Sequence, residues 1–188
     1  MKLEITTILY SKSRRISSIN DLPRDCTGLK LSGIATYISD GDGFHFFHVP
    51  LFRSSKPSSS SKLKIRLAGI DAPETRYFNI PAQPLSQESK LFLSSLILNK
   101  TVYLEILGVD RYSRILAIVF LDSININIEM IKKGYACVYK GRDGVYGKYK
   151  DKMIINEKES IKRKKGIWGL KDMILPMDYK KQTKYSIN

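Results

Sequence analysis

Alternation of apolar and polar residues marks three strand-like segments in the first part of the chain. They cover residues 29–39, 44–49 and 62–70 and are rich in residues that favour extended backbone. Asp40-Gly-Asp42-Gly43 separates the first two segments and predicts a hairpin turn, because Asp-Gly pairs tolerate the backbone conformations of tight turns. The serine-rich stretch at 53–62 predicts a flexible loop before the third strand.

Helical periodicity dominates the rest of the chain. A helix is predicted over 84–98, where Pro84 suits the first turn. Its predicted inner side consists of Leu85, Glu88, Leu91 or Phe92, and Ser95 or Leu96. The later predicted elements are strands at 102–107 and 115–121 and helices at 126–133 and 148–165. Five strands with a helix before the last two are compatible with a small barrel such as the OB-fold, but periodicity alone does not select that topology.

The length of 188 residues predicts one domain with tails. The domain is expected to span 28–176. Residues 1–27 mix short apolar and basic groups and form an unassigned arm, while the polar segment 177–188 is predicted to be a disordered tail.

Basic residues outnumber acidic ones by 32 to 18, which gives a net charge of +14. Such a surplus is typical of proteins that bind phosphate backbones, although a generally basic proteome would produce it too. Cys26 and Cys137 cannot form a disulfide framework and are expected to be free thiols in a reducing compartment. The sequence contains no apolar run long enough to span a membrane and no secretory signal, so an intracellular soluble protein is expected, with cytoplasm and mitochondrion both open.

The stretch from Lys64 to Thr75 carries the strongest candidate chemistry. Pro73 cannot donate a backbone hydrogen bond, so the strand must stop near Asp71 and release Asp71 and Glu74 into a turn. Strict alternation would place Arg66 and Asp71 on opposite faces, so the strand is expected to bend or end near Gly69. Two carboxylates then lie beside one guanidinium. The alternative is an ordinary turn with a surface ion pair.

The other motifs each have a simpler interpretation as well. Asp-Gly-Asp-Gly alone is more often a turn than a ligand set, and Asp110-Arg-Tyr-Ser-Arg114 alone is usually a charged turn. His45 and His48 face opposite sides of a strand and have no third partner. They are expected to be surface or groove residues rather than zinc ligands.

The stretches at 40–43, 66–74 and 110–114 together resemble the staphylococcal nuclease (thermonuclease) family, whose members hydrolyse phosphodiester bonds with calcium. Further matching stretches lie at 82–89, 127, 134–136, 146–149 and 165–169. The resemblance covers roughly residues 32–175 and is greatest to the branch of membrane-anchored endonucleases. The anchor of that branch has no counterpart here, so this chain is expected to be a soluble relative or an incomplete one.

The resemblance implies an α+β fold, a five-stranded OB-fold barrel with about three α-helices. It further implies a monomeric, calcium-dependent endonuclease that cleaves DNA, RNA or both with little sequence specificity and leaves 3′-phosphate ends. A rival hypothesis is a non-catalytic nucleic-acid-binding or interaction module, since related domains also serve as inactive scaffolds. Such modules typically lose the catalytic arginines or glutamate, which this chain retains.

The resemblance also assigns roles residue by residue. Metal binding falls to Asp42, Asp71 and the backbone carbonyl of Ala72, with Asp40 in support. Arg66 and Arg114 match the arginines that bind phosphate, and Glu74 matches the carboxylate that orients or deprotonates water. Arg111 and Tyr112 are expected to touch the neighbouring nucleotide.

Two residues depart from the family pattern. Gly43 replaces a small polar residue after Asp-Gly-Asp, and Ser113 replaces a glycine. If the turn at Ser113 needs a positive φ, serine costs about 1 kcal/mol there and shifts Arg114.

Overall fold

The computed structural model describes residues 14–50, 62–76 and 80–185. Most of the predicted serine-rich loop therefore lies outside the described residues. The strands are β1 (Lys30–Ile38), β2 (Gly43–His48), β3 (Leu63–Leu67), β4 (Ile70–Asp71), β5 (Thr101–Val109), β6 (Ile115–Leu121), β7 (Ile124–Asn125) and β8 (Cys137–Val138). The α-helices are α1 (Ser86–Ile97), α2 (Ile126–Lys132), α3 (Lys150–Lys162) and α4 (Pro176–Tyr185).

Five of these strands close into a barrel. The sheet runs in the order β3-β2-β1-β5-β6-β7, and a parallel pairing of β3 with β6 joins its ends. All other pairs in this sheet are antiparallel. This closed barrel with packed helices confirms the predicted α+β OB-fold class, with four α-helices among the described residues instead of about three.

The barrel interior follows the alternation seen in the sequence. Inward positions such as Leu31, Phe44, Phe46, Ile65 and Leu104 are buried, and they form one continuous hydrophobic core with residues of the helices. Burial of such side chains is the main favourable term in folding and makes the barrel wall rigid.

Asn127 on α2 joins the helix to the end of the barrel. Its Oδ1 accepts a hydrogen bond from the Val119 N–H at 2.9 Å. Its Nδ2 donates to the carbonyl oxygens of Ala68 and Ala117 at 2.9 and 3.1 Å. The side chain is fully buried and fully paired, so it fixes the chain just where β3 ends.

The strand bends at Gly69, as the sequence predicts. β3 ends at Leu67, Gly69 has a φ of +75°, and β4 begins at Ile70 and pairs with β8 instead of β3. A Cβ atom at Gly69 would lie 2.8 Å from the Tyr146 ring, so both conformation and space require glycine.

The N-terminal segment differs from the expected arm in its described part, 14–27. Ile16 is fully buried in the core, and its N–H donates to His48 Nδ1 at 3.0 Å. His48 is accordingly buried, so the prediction of a surface or groove position is wrong for this histidine. Cys26 is also buried in the core, and Ile19 and Leu22 pack against it. These apolar residues are irregularly spaced, so they leave no periodic pattern in the sequence.

The C-terminal segment also differs from the prediction. The expected disordered tail from 177 is instead occupied by α4, which begins at Pro176. The Tyr179 hydroxyl donates to the Pro81 carbonyl at 2.8 Å, and Gln83 Nε2 donates to the Ile174 carbonyl just before the helix at 2.6 Å. Tertiary contacts therefore hold a helix whose composition is largely polar.

Helix α1 begins later than predicted and presents another face. Leu85 has a left-handed φ of 63°, so the helix starts at Ser86 and Pro84 precedes it. The buried residues are Ser86, Ser89, Leu93 and Ile97, whereas Leu91 is exposed. None of the helices in the described ranges is long and apolar enough to cross a membrane.

Candidate active site

One open cleft of about 1150 Å³ lies beside the β3–β4 bend. All nine residues singled out in the sequence border it: Asp40, Asp42, Arg66, Asp71, Ala72, Glu74, Arg111, Tyr112 and Arg114. They come from three separate segments that the barrel brings together. Lys64, Tyr139 and Lys180 border the same cleft.

Arg66 is the centre of the polar contacts. The β2–β3 register pairs Gly43 with Arg66, which brings the guanidinium to the preceding turn. Its Nη1 lies 3.2 Å from Asp42 Oδ1 and its Nη2 lies 3.0 Å from Asp42 Oδ2, a bidentate pair. The bend at Gly69 then places Asp71 Oδ1 2.9 Å from the same Nη2. Arg66 thus bridges two carboxylates that come from different turns.

The turn that carries Asp42 packs closely on α1. A Cβ atom at Gly41 would lie 2.0 Å from Ser89 Oγ, so only glycine fits beneath the helix. Ser89 Oγ in turn donates to the Tyr135 carbonyl at 2.8 Å. The small serines of α1 therefore let the acidic turn approach the barrel end. A Cβ atom at Gly43 would lie 2.7 Å from Asp40 Oδ1. Glycine, in place of the small polar residue of the family pattern, therefore avoids crowding in this turn.

Burial and mutual repulsion raise the pKa values of two carboxyl groups in the cleft, those of Asp40 and Asp71. Burial, followed by the neighbouring Asp42 charge, raises the pKa of Asp40 to about 7. The same two causes raise the pKa of Asp71, against the opposing effects of Lys180 and Arg66. The charge of Asp42, partly opposed by burial, holds the pKa of Arg66 above its ordinary value. The guanidinium is permanently charged and partly compensates a strongly acidic cluster.

Glu74 is positioned by Gln83, which lies in the matching stretch 82–89 but has no role assigned from the sequence. The Glu74 N–H donates to Gln83 Oε1 at 3.1 Å, and the Gln83 N–H donates to the Glu74 carbonyl at 2.8 Å. Burial raises the pKa of Glu74, and Lys180 opposes that rise. Glu74 is therefore a carboxylate on a fixed turn with its side chain directed into the cleft.

Lys180 on α4 completes the cluster, and sequence reasoning placed it in a tail. Its Nζ lies 2.8 Å from Glu74 Oε1 and 3.0 Å from Asp71 Oδ1. Burial alone would lower the pKa of Lys180, but the carboxylates of Asp71, Glu74 and Asp42 hold it above its ordinary value. The only sequence signal was the helix start at Pro176 followed by Asp178, a first-turn pattern that favours a helix.

The peptide group between Asp71 and Pro73 also faces this cluster. The Ala72 N–H donates to Asp42 Oδ2 at 3.3 Å, and Ala72 is buried. Asp71 Oδ2 is buried without a hydrogen-bond partner among the described residues. In those same ranges no three acidic, histidine or cysteine side chains form a ready-made metal cluster. The unsatisfied oxygen nevertheless leaves one strong acceptor open to a cation.

The loop 110–114 forms the opposite wall. Arg114 Nε and Nη2 both lie 2.7 Å from Asp110 Oδ2, and Asp110 Oδ1 accepts from the Arg114 and Tyr112 amides. Ser113 has a φ of 60°, so the turn does require the positive φ that its family glycine provides. Arg114 is therefore fixed by Asp110 and not by the acidic cluster around Arg66.

The side chains of Arg111 and Tyr112 in this loop are exposed at the surface. Tyr112 is 61% exposed. The Arg111 guanidinium lies 5.0 Å from the Tyr112 ring centroid, and that of Arg114 lies 5.4 Å from it. Stacked rings and guanidinium groups bind unpaired bases and phosphates.

Two further residues near the cleft have structural contacts. Cys137 Sγ donates to the Asp71 carbonyl at 3.4 Å, and burial raises the pKa of this thiol far above its ordinary value. It is accordingly an inert thiol. The Tyr139 hydroxyl donates to Asp143 Oδ1 at 2.8 Å at the edge of the same cleft.

Known proteins resemble this chain over nearly its whole length. "Probable endonuclease LCL3" of Komagataella phaffii is 34% identical in an alignment of 195 residues including gaps. The alignment covers 93% of this chain and 86% of the relative. "Probable endonuclease C19F8.04c" of Schizosaccharomyces pombe is 33% identical, and the alignment covers 89% of this chain and 86% of that relative. "Endonuclease Htp3" of Saprolegnia parasitica is 30% identical, and the alignment covers 92% of this chain and 87% of that relative. The family described as staphylococcal nuclease homologue matches residues 64–169. This chain belongs to the staphylococcal nuclease family, as its three sequence motifs predict.

Proposed function

We propose that this protein is a calcium-dependent endonuclease that hydrolyses phosphodiester bonds of DNA, RNA or both with little sequence preference and leaves 3′-phosphate ends. The reaction type follows from the family and from relatives named as endonucleases. The observation that carries the proposal is the bridge from Arg66 to Asp42 and Asp71 beside Glu74, in a cleft that Arg114 borders from the other wall. That arrangement combines phosphate-binding cations with a carboxylate for water.

The acidic cluster has the oxygen ligands that calcium prefers. Asp42, Asp71 and the Ala72 carbonyl would hold the ion, with Asp40 as a supporting carboxylate, because calcium accepts mixed carboxylate and carbonyl oxygens in loose geometry. The unsatisfied Asp71 Oδ2 supports this assignment. A bound calcium ion would supply positive charge that stabilises the phosphate and activates water.

The remaining residues act on the phosphate and the nucleophile. The planar guanidinium groups of Arg66 and Arg114 each bind phosphate oxygens as negative charge accumulates in the transition state. Glu74 orients the attacking water and accepts its proton, and burial has raised its pKa towards the range useful for that task. Arg111 and Tyr112 hold the adjacent nucleotide by charge and stacking.

A nucleic acid substrate agrees with the charge of the chain. A net charge of +14 without a base-reading motif predicts affinity through phosphate contacts, hence binding that weakens steeply as salt rises. It also agrees with the small sequence preference that we propose.

The test is incubation of the full chain with plasmid DNA and with RNA, in calcium and in EGTA. Cleavage is expected only with calcium. Glu74→Gln should lose it, and Glu88→Gln, an exposed glutamate on α1, should retain it. A polymerase should extend the product ends only after phosphatase treatment. Binding of both nucleic acids without cleavage at any calcium concentration would favour the non-catalytic module instead.

A further inference from the structure

The C-terminal helix forms one side of the cleft. Met177, Lys180 and Thr183 of α4 border the cleft. The helix is fastened on the far side of Glu74 by the hydrogen bond from Tyr179 to the Pro81 carbonyl, and the chain before it by the bond from Gln83 to the Ile174 carbonyl. These contacts hold Lys180 over the carboxylates. The matched family region is 64–169, so α4 lies outside it.

The Lys180 ammonium group occupies the position of a cation. It contacts oxygens of both Asp71 and Glu74 within 3.0 Å. Its side chain is only 38% exposed, whereas lysine side chains are mostly exposed. The neighbouring Lys181 instead pairs with Asp178 of its own helix and is 61% exposed. Both lysines border the cleft, but of the two only Lys180 contacts Asp71 and Glu74.

The ammonium and a divalent ion would share the Asp71 carboxylate, because Lys180 contacts Oδ1 and Oδ2, unpaired within the described ranges, is the oxygen open to the ion. Asp71 Oδ1 already accepts from Arg66 and from Lys180, and Glu74 Oε1 is held by Lys180. A divalent ion close to Asp71 would repel the ammonium, since like charges a few ångströms apart are costly in a partly buried site. Either cation can compensate the acidic cluster, and repulsion between them makes each weaken the binding of the other.

We propose that Lys180 sets the metal affinity of this site, as an internal cation that a divalent ion must displace from Asp71 and Glu74. The inference rests on the proposed metal-dependent function. It also gives Lys180 a second effect, because its departure frees the Glu74 carboxylate for water. Metal binding and release of Glu74 are then one event, and the apparent metal affinity is reduced by the fraction of molecules in which Lys180 stays bound.

Calcium binding without nucleic acid tests the proposal directly. Calcium is titrated by calorimetry into the wild-type chain, Lys180→Met and Lys181→Met. We expect Lys180→Met to bind calcium about tenfold more tightly, which corresponds to a wild-type site that is open about one tenth of the time. Lys181→Met should bind as the wild type does. Unchanged or weaker calcium binding by Lys180→Met would overturn the proposal.

Two further variants separate charge from packing. Lys180→Arg keeps the cation and should keep the low calcium affinity. Tyr179→Phe removes the hydroxyl that fastens α4 to Pro81, so it should tighten calcium binding while keeping Lys180 itself; it serves where Lys180→Met does not fold. Unchanged affinity in Tyr179→Phe, or tightening in Lys180→Arg equal to that in Lys180→Met, would contradict a displaced cation.

Cleavage assays distinguish this inference from the proposed function. If Lys180 is instead a catalytic group, Lys180→Met retains wild-type calcium affinity and loses turnover, which overturns the displacement proposal alone. If the wild type binds calcium and never cleaves, the nuclease proposal fails while the comparison of calcium affinities still decides the role of Lys180.

Discussion

The Arg66 guanidinium lies 2.9 Å from the Asp71 carboxylate, although strict strand alternation over five residues would place the two on opposite faces. The reversal occurs at Gly69, whose φ of +75° ends one strand direction and starts another. β4 leaves the barrel wall there and pairs with β8. The ion pair at the centre of the site therefore depends on a single glycine in the chain between its partners.

We expect Gly69→Ala to destabilise the protein strongly. The left-handed conformation costs about 1–2 kcal/mol for a residue with a Cβ atom. Overpacking against Tyr146 and the Met153 sulfur, 2.8 and 2.9 Å from the added atom, comes in addition. A total near 3 kcal/mol is the expected order, since overpacking alone typically costs roughly 1–3 kcal/mol.

Gly28→Ala is the matched control for this substitution. Gly28 has a φ of +81° but nothing within 4 Å of an added Cβ atom, so it isolates the conformational cost. Denaturant unfolding measures both variants. An equal loss of unfolding free energy in Gly69→Ala and Gly28→Ala would contradict the packing argument.

Local patterns predict the barrel and its acidic corner well. Alternation identifies the inward residues of β1 and β3, and Pro73 and Gly69 predict where the strand must stop and bend. β2 is buried on both faces, so alternation does not describe it. These are rules of backbone geometry that act over a few residues, so they can be read from sequence. The closing pair of β3 with β6 is a long-range contact that no local pattern specifies.

The inner face of α1 is wrongly predicted for a physical reason. The interpretation placed the large apolar residues inward, but Leu91 is 57% exposed and Ser89 is fully buried. A small residue is required there because the Asp40–Gly43 turn lies against the helix at Gly41. Close approach of a distant turn thus overrides hydrophobicity within the helix.

Helix α4 and Lys180 are missed for a related reason. The segment is largely polar, and a short polar helix is unstable in isolation. Its stability comes from Tyr179 on Pro81 and from the ion pairs of Lys180, all with residues about a hundred positions earlier. Contacts of this kind leave no periodicity in the sequence.

Asp110 should contribute stability that depends on pH. Burial alone would raise its pKa, but hydrogen bonds from the Arg114 backbone and side chain bring it below the ordinary 3.8. Because the folded pKa is the lower one, this contribution is present above the unfolded pKa and is lost as pH falls through the folded pKa. Asp110→Asn should therefore be less stable than the wild type at neutral pH, and the gap should shrink below about pH 4.

Denaturant unfolding of the wild type and Asp110→Asn from about pH 7 to about pH 3 measures that gap. A gap that widens as the pH falls would contradict the sign of the pKa shift.

Ser113→Gly should stabilise the loop that carries Arg114. Serine at a φ of 60° is strained by about 1–2 kcal/mol, and glycine relieves this at a cost of about 0.5–1 kcal/mol in unfolded-chain entropy. A net gain of about 0 to 1.5 kcal/mol follows. Ser95→Gly, within α1 and exposed, is the control and should lose about 0.5–1 kcal/mol. Thermal unfolding compares them, and a loss in both would show that the turn at Ser113 is not strained.

Arg66 and Arg114 should differ in what their removal costs. Arg66 has a side chain only 15% exposed and bridges Asp42 and Asp71, so Arg66→Ala leaves, among the residues that the structure describes, the buried Asp42 without an ion pair and Asp71 with Lys180 alone. Breaking a buried ion pair in this way costs about 3–5 kcal/mol. Arg66→Ala is therefore expected to lose both stability and cleavage.

Arg114→Ala should lose cleavage with little loss of stability. Its partner Asp110 keeps two backbone N–H donors, from Tyr112 and from residue 114 itself, and the acidic cluster around Arg66 is untouched. Removal of one preorganised charge that binds the transition state costs about 10²-fold or more in turnover. The measurements are melting temperature, calcium affinity and cleavage rate at saturating calcium for both variants. A rate near wild type in Arg114→Ala would remove it from the reaction, whereas a melting temperature as low as that of Arg66→Ala would make its role structural.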